Sequence, residues 1–181
     1  MGHTGDVDPM IPGNKVVAIF GFCDIRQFTD TTEVLQEDIM SYVNEIAELV
    51  HGVVDKFSGT PNKNIGDAFL FVWKFSNKSV RMNQKTRELL PKPEVAVRQL
   101  ADMSVISFLK AMATVRKSMI LDKYRKREDI REKLPNYQVK LGFGLHVGWA
   151  IEGAIGSEFK IDASYISPNV NLASRLESAT K

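Results

Sequence analysis

The 181-residue chain carries a single cysteine, Cys23. That excludes an internal disulfide and any metal site built from several cysteines. No uncharged apolar run reaches the roughly 18 residues that a membrane span requires, and no secretory signal is present. The two common phosphate-binding loops, GxxxxGK[ST] and GxGxxG, are also missing. So is an excess of charge. Lys and Arg total 24 against 22 Asp and Glu, a formal net charge of +2, which argues against nucleic-acid binding through bulk charge. There is no internal repeat and no low-complexity tract. What remains is the mix of a folded domain, with 44% apolar and 25% charged residues, long enough to bury a core without staples. The first dozen residues, 1–12, are polar and patternless and are expected to be a leader or disordered. These features point to a reducing, cytoplasmic setting with no membrane contact by these residues. They leave open a cytosolic domain of a larger, membrane-attached protein.

Hydrophobic periodicity predicts the elements. Val16 to Phe22 is β-branched and apolar and reads as a buried strand. From Glu33 to Phe57, Ile39, Val43, Ile46, Val50 and Val54 recur every three or four residues, predicting one amphipathic helix stopped at Ser58-Gly59. Asn62 to Ile65 and Ala68 to Trp73 read as hairpin arms around a Gly66-Asp67 tip. Residues 74–92 are basic and predict a solvated loop. Pro93 starts a long helix to about Tyr124. The following LDKYRKREDIREKL is too charged to be expected in the core. Tyr137 to His146 alternates as a half-buried strand, Gly148 is expected to break it, and Trp149 to Ile155 forms the next. Ser167 as cap and Pro168 as first residue open a last helix. Strands joined partly by hairpins and layered with helices predict an α+β fold with a mixed sheet.

Two aspartates stand out. Asp24 ends the first strand and Asp67 sits at the hairpin tip. Neighbouring strands lie roughly 5 Å apart, so such ends can bring two carboxylates together. Bare, they would repel; a divalent cation resolves the conflict, and Mg²⁺ prefers carboxylates with substrate phosphates. The same positions also suit a strand-end cap and a turn former.

The run Phe22-Cys23-Asp24-Ile25-Arg26-Gln27-Phe28-Thr29 resembles the first metal motif of class III nucleotidyl cyclases, the adenylyl and guanylyl cyclases. Lys63-Asn64-Ile65-Gly66-Asp67-Ala68-Phe69 is similar to their second metal hairpin. Gly144-Leu145-His146-Val147-Gly148 resembles their central strand and turn, and Asn171-Leu172-Ala173-Ser174-Arg175-Leu176-Glu177-Ser178 their transition-state helix. The four motifs stand in the family's order across residues 15–181. The resemblance implies a ferredoxin-like, palm-type sheet with helices packed on it. It implies that Asp24 and Asp67, with the Ile25 carbonyl, hold two Mg²⁺ or Mn²⁺ ions. It implies that backbone amides of Ile25, Arg26, Gln27, Phe28 and Thr29 cradle the triphosphate. Asn171 would orient the ribose and Arg175 would stabilise charge on the reacting phosphate, although Arg175 could instead pair with Glu177.

Base choice would rest on Lys63 and Ser164. A lysine ammonium only donates, which suits the acceptor N1 of adenine and clashes with the protonated N1 of guanine. A serine hydroxyl can accept from the adenine amino group. Both could also be ordinary surface positions, a hairpin lysine and a strand-edge serine. The resemblance therefore implies ATP as substrate, with sites shared between two copies or with a cyclase-like partner. A guanylyl cyclase and a regulatory or dimerisation module without turnover are the rivals. A palm-type polymerase-like domain would account for the aspartates but not for Asn171 and Arg175. Two departures from the family are expected to matter. The interval around residues 74–135 looks like an insertion, and the family's further strands, with a triphosphate-contacting lysine, are expected to be truncated here. His146 reads as a structural histidine, His51 as surface or interface, and Trp73 and Trp149 as core.

Overall fold

The computed structural model describes residues 11–157 and 159–180; the expected leader, residues 1–10 of it, lies outside them. The central strand β1, Asn14–Ile25, is longer than expected. Its side chains alternate between two apolar layers, as the two-residue period of a strand dictates. Val17 and Ile19 face one core, Ala18 and Phe20 the other. A strand buried on both faces reads as a continuous hydrophobic run, which is how this one was recognisable.

Helix α1, Phe28–Leu35, and α2, Ile39–Lys56, replace the single helix expected from residue 33. The break falls at Gln36, whose φ of 50° cannot continue a right-handed helix. The predicted stripe survives in α2, where Ile46, Val50 and Val54 are fully buried. Ser58 takes the left-handed turn at the helix end, with φ 60°. Strands β2, Thr60–Ile65, and β3, Ala68–Lys74, form the expected hairpin.

Residues 74–92 are not simply a loop. They fold into a small pair, β4, Val80–Met82, and β5, Leu89–Pro91. Helix α3, Val95–Lys117, ends earlier than expected and gives Phe108, Ala111 and Val115 to the core. The charged segment after it is also part of the core. Short helices α4, Asp122–Lys126, and α5, Glu128–Lys133, bury Leu121, Tyr124 and Ile130. Charges of this segment are paired, Arg125 with Asp122 and Arg127 with Asp38 and Asp129. Charge density hid an apolar residue at every turn.

Strand β6, Leu141–Ser157, runs unbroken through Gly148, which pairs with Ala18 of β1. Tyr137 and Val139 are buried but precede the strand. A strand missed by periodicity, β7, Lys160–Ile166, pairs back on β6. Helix α6, Pro168–Ser178, starts as expected: Val170 N–H donates to Ser167 Oγ at 3.1 Å.

The sheet has five strands in the order β2-β3-β1-β6-β7, and all four pairings are antiparallel, where a mixed sheet was expected. The α+β layering is as expected. Helices α2 and α3 cover one face and α6 the other. Among the described residues no helix is long and apolar enough to cross a membrane.

Candidate active site

Asp24 lies in β1 opposite Ala68 of β3 and Gly142 of β6. It is 9% exposed. The next residue, Ile25, donates its N–H to the Asp67 carbonyl at 3.1 Å. Asp24, near the end of β1, and Asp67, in the β2–β3 turn, therefore lie at the same end of the sheet. The tip that carries Asp67 is tight because Gly66 adopts φ 62°, which glycine reaches without strain. In a strand the N–H and C=O of one residue point to the same neighbour, so the Ile25 carbonyl also faces the Asp67 hairpin. Two carboxylates and a main-chain carbonyl at this end of the sheet would offer only oxygen donors. That fits a hard cation such as Mg²⁺ or Mn²⁺, with remaining positions taken by water and phosphate oxygens. No group of three or more His, Cys, Asp or Glu suited to a metal occurs among the described residues.

Two of the five amides expected to cradle phosphate are already engaged. The Ile25 N–H is used by Asp67, and the Arg26 N–H donates to the Lys140 carbonyl at 2.9 Å. The amides of Gln27, Phe28 and Thr29 remain. Gln27 holds a left-handed φ of 57° and its side chain caps no amide of α1. The first-turn N–H groups of a helix have no carbonyl within it, and there they gather positive potential suited to phosphate.

Lys63 and Ser164 meet. Lys63 Nζ donates to Ser164 Oγ at 2.5 Å, and Ser164 is only 5% exposed. One residue away, Asn62 Nδ2 donates to the Ala163 carbonyl at 3.5 Å. Since β2 and β7 are opposite edges of the sheet, the sheet must be curled for them to touch. Asn62 also lies where the β2–β3 register slips.

Helix α6 buries Val170, Ala173 and Glu177 and exposes Asn171 and Arg175. The exposed pair is four residues apart and shares one face, with Leu172 and Leu176 also exposed beside it. Arg175 has no ion pair among the described residues. The acid it could have taken, Glu177, belongs to Arg26.

That last contact was not foreseen. Arg26 Nη1 lies 2.7 Å from Glu177 Oε1 and 3.4 Å from Asp24 Oδ1. Its Nη2 donates to Thr180 Oγ1 at 2.6 Å and to the Glu177 carbonyl at 3.4 Å. The Nη1–Oε1 approach is an ion pair whose angles fall short of a hydrogen bond. The guanidinium fits only because residue 142 is glycine: a Cβ there would stand 1.7 Å from Arg26 Nη2 and 2.4 Å from Glu177 Oε1. The sequence signal was the glycine of Gly142-Phe143-Gly144. A strand that spends two glycines on one face is making room for something large.

The remaining candidates are structural. His146 Nε2 is 3.2 Å from Asn169 Oδ1, and Asn169 Nδ2 donates to the Trp149 carbonyl at 3.0 Å. Trp73 is fully buried as expected, while Trp149 is partly buried against the core. His51 is half-buried and packs edge-on against Phe69 and Phe71. Burial, then the nearby Asp24 and Glu177 carboxylates, push the Cys23 thiol well above its ordinary value. That is the opposite of what a nucleophile needs.

A family model described as "Adenylate and Guanylate cyclase catalytic domain" matches residues 12–181. An adenylate cyclase of Anabaena cylindrica is 25% identical over 164 residues, covering 88% of this chain and 26% of its own length. A terminal-differentiation specific adenylate cyclase of Dictyostelium discoideum is 26% identical over 168 residues, 92% of this chain and 6% of the relative. The chain thus spans about a quarter or less of these curated relatives. Among solved structures, the adenylyl cyclase CyaB from P. aeruginosa superposes with TM-score 0.67 at 21% identity, over 93% of this chain and 74% of that one. The guanylate cyclase domain of RhGC from Catenaria anguillulae gives 0.64 at 18% identity, over 91% and 74%. These structures share the curled, helix-covered sheet, and with the family match over residues 12–181 they establish that the chain belongs to the adenylate and guanylate cyclase catalytic domain family.

Proposed function

We propose that the chain is an adenylyl cyclase, converting ATP to cyclic AMP and pyrophosphate. The ribose 3′ hydroxyl attacks the α-phosphorus, a new P–O bond closes the ring, and the bond to the β-phosphate oxygen breaks. The observation that carries the choice of ATP is the 2.5 Å contact between Lys63 Nζ and Ser164 Oγ. It supports a single base-reading pair, in which the ammonium donates to adenine N1 and the serine oxygen accepts from the amino group. A guanine would set its N1–H against a group with no acceptor.

Asp24, Asp67 and the Ile25 carbonyl would hold Mg²⁺ or Mn²⁺. Such a cation, when bound, lowers the pKa of the attacking hydroxyl and offsets charge on the leaving pyrophosphate. The amides of Gln27, Phe28 and Thr29 bind triphosphate oxygens at the start of α1. Asn171 orients the ribose, and Arg175 stabilises negative charge as it grows on the reacting phosphate. Both project outward from α6, so they serve a nucleotide held by a second copy. A symmetric pair of chains then forms two sites. ATP as substrate and an unpaired cysteine both fit a cytoplasmic setting.

The test is cyclic nucleotide production by the purified chain with Mn²⁺ and either ATP or GTP, with Asp67→Ala as control. Faster turnover of ATP, rising more steeply than linearly with enzyme concentration, is the expected result. Preference for GTP overturns the base assignment. Equal product from Asp67→Ala and parent overturns the metal assignment.

A further inference from the structure

Three charged residues gather where β1 ends, on the face of the sheet that α6 covers. Cys23 and Ile25 turn into the core under α2 and α3, so Asp24 and Arg26 turn to the other face. The same alternation holds across the pairing. Val139 and Leu141 pack with that core, which leaves Lys140 and Gly142 on the α6 side. Asp24 pairs with Gly142, and the Arg26 N–H donates to the Lys140 carbonyl at 2.9 Å. Lys140 thus stands opposite Arg26 and diagonal to Asp24. Diagonal neighbours across a strand pair are about 7–8 Å apart, within reach of a long side chain.

The two cations differ in what they already hold. Arg26 is well covered and committed. Its Nη1 lies 2.7 Å from Glu177 Oε1 and donates to Asp24 Oδ1 at 3.4 Å, and its Nη2 donates to Thr180 Oγ1 at 2.6 Å. Lys140 is exposed, and among the described residues its ammonium has no ion pair and no hydrogen bond. Both border an open cavity of about 500 Å³, together with Gly142 and Thr180, and no Asp or Glu is among the described residues that line it. Charge balance gives the free ammonium a role. A fully ionised triphosphate brings four negative charges, and Asp24 and Asp67 add two; two divalent cations would offset four. Arg26 offers no further charge, because Glu177 neutralises it. Arg175, presented by a second copy, supplies one of the two positive charges still needed. Lysine is well suited to supply the other, since it meets phosphate as a compact point charge on a flexible stem.

We propose that Lys140 is a phosphate-binding residue whose ammonium takes a triphosphate oxygen of the nucleotide held beside Asp24. This role rests on the nucleotide site proposed above and adds to it a side chain outside the four motifs that point to that site.

The test is calorimetric titration with 3′-deoxy-ATP and Mn²⁺, a nucleotide that lacks the attacking hydroxyl and so binds without turnover. Lys140→Met keeps the stem and removes the charge. It is expected to weaken binding roughly tenfold at low salt, with the difference from the parent narrowing as ionic strength rises, because an exposed charge is screened. Lys140→Arg restores a cation and should bind within about threefold of the parent. 3′-Deoxy-AMP, which lacks the outer phosphates, should lose less than twofold in Lys140→Met. Because Lys140 is exposed, the variants should melt with the parent. Three results overturn the inference while leaving the nucleotide site intact. One is a Lys140→Met that binds 3′-deoxy-ATP within twofold of the parent. Another is a Lys140→Arg as weak as Lys140→Met, which marks a merely structural role. The third is an equal loss for 3′-deoxy-AMP and 3′-deoxy-ATP. If instead the parent shows no Mn²⁺-dependent binding of 3′-deoxy-ATP that Asp24→Asn abolishes, the site itself falls, and the role of Lys140 with it.

Discussion

Replacing Lys63 by methionine isolates the contact proposed to read the base. Methionine keeps most of the apolar stem and removes the three ammonium donors. The donor it removes is held in place, since Lys63 Nζ is 2.5 Å from Ser164 Oγ and Ser164 is buried, at 5% exposure. A fixed donor spends little entropy on reaching its acceptor, so its loss should cost the full net value of a charge-assisted hydrogen bond. That value is about 1.5–3 kcal/mol. Because each 1.36 kcal/mol is tenfold, kcat/KM for ATP should fall by roughly 10- to 150-fold. GTP, whose N1 offers a proton and not a lone pair, gains nothing from the ammonium at that atom. Its kcat/KM should fall far less, and the ATP-to-GTP ratio should collapse. Lys63→Glu goes further, because a carboxylate accepts from guanine N1–H and repels the adenine N1 lone pair; preference should invert. Initial rates at varied ATP and GTP with Mn²⁺ give both ratios, and a melting curve shows that the fold is intact. A folded Lys63→Met whose ratio stays within about twofold of the parent would refute the reasoning.

Other consequences follow from packing and protonation. Gly144→Ala places a Cβ 2.4 Å from the Glu177 amide nitrogen and 2.5 Å from the Ala173 carbonyl oxygen. It should lift α6 off β6 and cost about 1–3 kcal/mol, read as a lower urea midpoint; an unchanged midpoint would mean that the helix is not seated there. His51 has a pKa below 6.5, because burial outweighs the opposing pull of Glu48 and Asn64. The unfolded chain then binds the proton more readily than the folded one, so stability is full above 6.5 and is lost as the pH falls toward the lower folded value. His51→Phe should flatten that part of the stability-against-pH curve, and an equally steep curve in the variant would assign the slope elsewhere. Cys23, fully buried and with its thiol pKa raised, should resist aromatic disulfide reagents until the chain unfolds. Rapid native labelling would contradict the packing of β1.

What the sequence disclosed, and what it hid, sorts by the range of the interactions. The β2–β3 hairpin, the α2 stripe and the Ser167-Pro168 helix start are local patterns, and each is where periodicity or capping chemistry put it. The failures are places where a distant contact overrode the local signal. Gly148 looks like a strand breaker only to a reader who cannot see β1 pairing across it. The 121–134 segment looks solvated because its charges outnumber its apolar residues, yet Leu121 and Ile130 are fully buried. Of the candidate site, Asp24, Asp67, Lys63 and Ser164 stand out in the sequence by residue type and motif, and the structure brings Lys63 and Ser164 into contact. Glu177 was not, because nothing in its own neighbourhood shows that an arginine more than a hundred residues earlier will reach it.

The glycines of β6 tie these observations together. Gly142, Gly144 and Gly148 all point toward α6, and a Cβ on each would meet, respectively, the Arg26–Glu177 pair, the helix backbone and the Asn169 side chain. Side chains at those positions would hold the helix at an ordinary interlayer distance. Without them, the helix backbone comes down onto the strand. That closeness brings Glu177 within ion-pair distance of Arg26 and fixes Asn169 between His146 and the Trp149 carbonyl. The helix is thereby located at both ends, while its outer face keeps Asn171 and Arg175 exposed. A motif that resembles a strand and turn in sequence is, physically, a seat for a helix. Its three bare positions set how closely α6 lies on the sheet, and so where Glu177 meets Arg26.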